Sequence, residues 1–158
     1  MSSGPGGQAE ARTCLVAVDG SEASIDALIW GLRYASDHDM RVEVLTVWPP
    51  HGSVFIHEVP GHFCAPRWRA RGAQADVIEQ ALEEVADRPA IATSLENGDA
   101  ADAIVRASAS CELVVLGSNA DQTPHRLTAR IIDQAPCKVV VAGTQGASRQ
   151  RLRKNFTV

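Results

Sequence analysis

The sequence has no C-x-x-C pair, no G-x-G-x-x-G, no G-x-x-x-x-G-K-[ST] and no apolar run long enough to span a bilayer. These absences leave out the common dinucleotide fingerprint, the Walker phosphate loop and a membrane-spanning helix. The opening MSSGPGGQAEAR has neither the basic start nor the apolar core of a secretory signal and reads as a flexible tail over residues 1–12. A formal net charge of −4 argues against nucleic-acid binding by general electrostatic attraction. The four cysteines, Cys14, Cys64, Cys111 and Cys137, are widely spaced, and three of them border apolar runs. That pattern fits a reducing, cytoplasmic compartment better than a disulfide framework.

What is present is a regular alternation of strand and helix signals. CLVAV (14–18) is a short apolar run suited to a strand buried on both faces. Asp19-Gly20-Ser21 closes it with turn and cap chemistry, and Ile25, Leu28, Ile29 and Leu32 then recur at helical spacing over about 22–36. RVEVLTVW (41–48) is a second strand, stopped by Pro49-Pro50. Residues 49–66 carry four prolines and no clear period, a long connection that is either functional, as a lid over the strand ends, or mobile.

Val77, Ile78, Ala81, Leu82 and Val85 predict a second helix, with Pro89 beyond its end. The alternation from Ile91 to Glu96 suits an edge strand. Asp99 can cap a helix through Ile104 and Val105. LVVLG (113–117) is another buried strand, Thr123-Pro124 can open a helix through Leu127 and Ile131, and KVVVAG (138–143) completes the series. The reading is one α/β domain over 13–144, mostly parallel with helices on both faces, followed by a basic tail at 145–158. Ligands on such sheets sit beyond the carboxyl ends of the strands, where Asp19, Val47 and Gly117 fall.

His57-Glu58-Val59-Pro60-Gly61-His62 imitates a metalloprotease helix, but the histidines are five apart and Pro60-Gly61 breaks the helix. His51, His57, His62 and Cys64 could meet around zinc; the plainer reading is an exposed histidine-rich loop, and no metal is expected. Ser21 lacks a nucleophile elbow and reads as a helix cap, so no catalytic residue is assigned. Asp19 either ends a strand or offers its carboxylate to a polar ligand.

CLVAVDGSEASIDALIWGLRYA, ENGDAADAIVRASASCELVVLGS and APCKVVVAG, in that order and spacing, resemble the universal stress protein family over about 130 residues. The resemblance implies a Rossmann-like five-stranded parallel sheet of the adenine-nucleotide α-hydrolase type, ordered 3-2-1-4-5, usually dimeric. It also implies two branches. One binds ATP through G-x-x-G, nine residues, then G-[ST], after the fourth strand; the other lacks that pattern and has no known nucleotide. Here Gly117-Ser118 begins the pattern, Ala120 replaces its second glycine, and no glycine follows before Gly143. Counting forward puts Arg130-Ile131 at the closing G-[ST]. Counting back from Ala135-Pro136-Cys137 puts His125-Arg126 there, with the loop about five residues short of the family length.

The resemblance makes Ala17, Val18, Asp19, Val47, Gly117, Ser118, His125, Arg126 and Leu127 the nucleotide-site candidates. Arg126 is either a phosphate ligand or a solvated helix start. Val139, Val140 and Val141, on an apolar strand that the resemblance places at the sheet edge, are candidates for a homodimer contact. The expected function is a dimeric, non-catalytic stress-response protein with an unknown protein partner and no tightly bound ATP. The alternative is a nucleotide-gated switch with a divergent loop.

Overall fold

The computed structural model describes residues 12–48, 65–118 and 126–142. The chain runs β1 (Thr13–Ala17), α1 (Glu22–Asp37), β2 (Arg41–Trp48), α2 (Ala65–Leu82), β3 (Ile91–Asn97), α3 (Ala100–Ser108), β4 (Leu113–Gly117), α4 (Arg126–Gln134) and β5 (Lys138–Ala142). The strands form one five-stranded sheet ordered β3-β2-β1-β4-β5, with all four pairings parallel. The order implied by the family resemblance is therefore the order observed.

Alternation of side chains across the strands builds two cores. Cys14, Val16, Val42, Val44, Leu113, Val115 and Val140 meet Leu28 and Leu32 of α1 and Val77 and Ala81 of α2. On the opposite face Leu15, Leu45, Val114, Leu116 and Val139 meet Ala101 and Ile104 of α3, Ile131 of α4 and Ala135 just past its end. β3 is the half-polar edge its alternation predicts, whereas β5 is the apolar edge, with Val139 and Val140 buried and Val141 half-buried.

Caps set the helix starts at the carboxyl end of the sheet. Ser21 caps α1, its hydroxyl accepting from Ser24 N at 3.2 Å, and Asp99 caps α3, its carboxylate accepting from Asp102 N at 3.0 Å. Asp99 and Asp102 also hold Arg130 of α4, with Nη1 to Asp99 Oδ2 at 3.0 Å and Nη2 to Asp102 Oδ1. This exposed network ties the two helices of that face together near their starts.

α2 differs from expectation. It begins at Ala65, twelve residues before Val77, so Ala65 and Pro66 belong to the helix rather than to the long connection. It also ends at Leu82; Val85 is buried in the core but lies beyond the helix. The apolar period is confined to the second half of the helix, so periodicity alone places the start too late. β1 ends at Ala17 rather than Val18, although Val18 N still donates to Leu45 O at 2.9 Å. The expected Thr123-Pro124 start of α4, the histidines and Cys64 of the 49–66 segment, and both tails lie outside the described residues.

Candidate functional site

The order of strands along the sheet reverses between β1 and β4, while the strands stay parallel. These two pair as far as Val16↔Val115, while β1 stays with β2 to Ala17↔Leu45 and β4 stays with β5 to Gly117↔Ala142. The two central strands thus part at their carboxyl ends, where an open α/β sheet offers a crevice to ligands.

One wall follows β1. Ala17 is half-buried against the α3–α4 core, and Val18 is 4% exposed in the α1–α2 core. The Val18 side chain is in the core and its amide is bonded to Leu45 O. Asp19 is exposed, and its Oδ1 accepts from Ser21 N at 3.0 Å and Ser21 Oγ at 2.6 Å. Oδ2 makes no hydrogen bond among the described residues. Asp19 thus closes the turn after β1 through one carboxylate oxygen. Gly20 has φ +93°, a conformation that a side chain resists. Val47 of β2 is half-buried beside the α3–α4 core, two positions beyond the partner of Ala17.

The other wall follows β4. A β-carbon at Gly117 would stand 2.5 Å from Ala23 O, so the strand end passes against the first turn of α1 where no side chain fits. Glycine is required there by packing, independently of any ligand. Ser118, half-buried, donates its amide to Ala142 O at 2.7 Å and so ties the strand end to β5. Arg126 opens α4, Leu127 lies in its first turn at 38% exposure, and His125 lies outside the described residues.

Of the two ways of counting toward the closing G-[ST], the forward one falls inside a helix: Arg130 and Ile131 lie in the second turn of α4, Arg130 paired to α3 and Ile131 fully buried. The Ser21 hydroxyl is spent on Asp19 and the α1 cap, and no group of metal-ligating side chains occurs among the described residues.

Sequence reasoning missed the upper half of α2. Gln74, 5% exposed, reaches Val44 O, Thr46 Oγ1 and Ser94 O at 3.2, 3.2 and 2.9 Å, the level at which β1 ends. The helix therefore continues past the end of β1, over β2 and β3. The signal was available in the spacing of Arg67, Arg71 and Gln74, which continue the Val77–Ala81 stripe upward.

Fold and site together define a doubly wound α/β protein with a ligand crevice at the topological switch point. The model of the universal stress protein family matches residues 10–143, and the chain belongs to that family. Universal stress protein UspA from Lactobacillus plantarum is 22% identical, covering 85% of this chain and 99% of its own, with a TM-score of 0.62. An Arabidopsis thaliana universal stress protein family protein with AMP bound is 17% identical, with coverage of 85% and 93% and a TM-score of 0.56. A universal stress protein in complex with cAMP is 15% identical, with coverage of 87% and 100% and a TM-score of 0.64. At these identities the likeness concerns the fold. The comparison with curated proteins gives no match. No helix among the described residues is long and apolar enough to cross a membrane.

Proposed function

We propose that this chain is a non-catalytic, homodimeric, cytoplasmic stress-response protein that takes the adenosine part of a nucleotide at the carboxyl edge and does not grip ATP tightly. The observation that carries this reading is the fate of the glycines. Gly117 is committed to packing against Ala23, and none follows it before Gly143. A phosphate loop needs glycines where backbone amides approach the phosphates closely, and a β-carbon holds the backbone away. The parted ends of β1 and β4 still offer Asp19 Oδ2 as an acceptor for ribose hydroxyls and Val47 as an apolar contact for a base. The AMP and cAMP complexes of two structural relatives support a monophosphate over a triphosphate. The absence of catalysis is supported by a serine whose hydroxyl already caps a helix.

Homodimerisation through β5 is supported by its apolar edge. Helices cover Val139 and Val140, and half-buried Val141 remains near the open side. An ATP-gated switch is the competing reading, favoured by Arg126 at the start of α4.

Titration of nucleotide-free protein with adenosine, AMP and Mg·ATP by calorimetry separates these readings. Binding of adenosine and AMP with no tighter binding of ATP is the expected result. ATP bound far more tightly than AMP would overturn the assignment and make Arg126 the next residue to replace.

A further inference from the structure

One flank of α1 carries a column of rings with carboxylates one and two turns before it. Trp30 and Tyr34 stack with centroids 5.0 Å and planes 13° apart, and His38 stacks on Tyr34 at 3.9 Å. Trp30 and Tyr34 pack against the sheet core on one side and are half-buried. Tyr34 covers one face of Trp30. Asp26 stands one turn before Trp30, on the side away from Tyr34, and Glu22 one turn before Asp26. Neither carboxylate has a cation partner among the described residues. Partial burial and the neighbouring Glu22 push the Asp26 carboxyl above its ordinary value, as expected where a like charge stands near and no cation does.

Ala23 precedes Asp26 by three residues and Trp30 by seven, so the three share a flank. β4 ends against that flank, where a β-carbon at Gly117 would fall 2.5 Å from Ala23 O. Gly117 pairs with Ala142, the last residue of β5. The chain therefore leaves the sheet one strand spacing, ~4.8 Å, from the residue that touches α1. Beyond that point Arg149, Arg151, Arg153 and Lys154 supply the cations. The stretch from 142 to 149 reaches up to ~23 Å at ~3.3 Å per residue, about the length of α1. The spacings also agree. Arginines at alternate positions of an extended segment recur every ~6.6 Å on one side. Glu22, Asp26 and Trp30 recur every fourth residue of a helix, ~6 Å apart.

We propose that residues 149–154 dock on this flank of α1 in the same chain, the alternating arginines pairing with Glu22 and Asp26 and stacking on the free face of Trp30. Arginine suits both kinds of contact, because its planar guanidinium bonds carboxylates and lies flat on an indole. Charge complementarity selects a cationic occupant, and attachment at Ala142 holds the chain's own arginines at high effective concentration beside the flank. The inference stands apart from the adenosine-site reading.

Trypsin cleavage after Arg149, Arg151 and Arg153 in the full chain, followed by mass spectrometry, tests it. The variant Glu22→Gln/Asp26→Asn removes the carboxylates of the flank. Glu79→Gln/Glu83→Gln, at exposed positions in and just past α2, makes the same change of charge elsewhere. Circular dichroism checks that each is folded. Loss of the ion pairs should speed cleavage of the tail about fivefold in the flank variant, while the control keeps the wild-type rate. Conversely, Arg149→Gln/Arg151→Gln/Arg153→Gln should shift the indole N–H resonance of Trp30 and leave that of Trp68 in place. An unchanged cleavage rate in the flank variant overturns the inference, as does a Trp30 resonance that stays put. Equal acceleration in the control would indicate general charge and overturns it too. Protection that disappears on dilution would place the tail on a second copy and rule out docking within one chain.

Discussion

Gly117 looks from the sequence like the first glycine of a ligand loop, and the fold gives it a second reason to exist. With Ala23 O only 2.5 Å from where its β-carbon would be, Gly117→Ala should destabilise the chain by about 1–3 kcal/mol through overpacking, read by urea denaturation. Stability equal to wild type would show that α1 shifts freely. Cys14 gives a prediction in pH. Burial, reinforced by Cys111 and Cys137, pushes its thiol up to about 12 from 9.0. The folded state therefore keeps a proton that the unfolded chain releases above pH 9. Stability is fully present below that pH and falls as pH rises toward 12, by at most about 1.4 kcal/mol per pH unit from this group. Cys14→Ala should be less stable at neutral pH yet flatten that decline. An unchanged slope would assign the decline to other groups. No disulfide links the described cysteines, so the thiol reading of Cys14, Cys111 and Cys137 agrees with the structure.

The elements divide according to what holds them. α1 and α3 start where their caps predict, because a serine or aspartate side chain satisfies amides of the first turn whatever the tertiary context. Asp99→Ala removes both a cap and one carboxylate of the Arg130 pair. Its expected cost is about 1 kcal/mol, mostly from the cap, since the ion pairs are exposed. α2 is held by burial over its lower half and by one buried amide. Gln74→Ala should cost about 1–3 kcal/mol, because Gln74 supplies the donor to Val44 O and Ser94 O. A loss below roughly 0.5 kcal/mol in chemical denaturation, the level of an ordinary surface substitution, would mean that water replaces it. The helix start was illegible from apolar period because its first two turns carry Arg67, Trp68, Arg69 and Arg71 where that period would call for apolar residues; Trp68 is 54% exposed.

At the scale of the molecule, the sheet has two unlike edges. β3 carries Thr93, Glu96 and Asn97 among half-buried positions, a composition that discourages pairing. β5 carries three valines in succession. If β5 is the dimer edge, Val141→Lys should halve the mass measured by light scattering. The fold should survive, since Val141 is not among the fully buried residues. A dimer that persists would move the interface elsewhere. The crevice belongs to this scale as well: it arises where β1 and β4, about a hundred residues apart in the chain, pair and then part.

The sequence by itself determined the alternation of strands and helices, the two caps and the buried character of the central strands, because each depends on local periodicity or on side chains within one turn. The family resemblance supplied the strand order, and the sheet follows it. Tertiary structure alone decided that Gly117 is pressed against Ala23 and that Ile131 belongs to the core rather than to a loop. It also decided that α2 begins twelve residues before its apolar stripe and is tied to β2 and β3 by the buried amide of Gln74. Those facts depend on which surfaces meet and where one element ends relative to another, and neither periodicity nor composition encodes such distances.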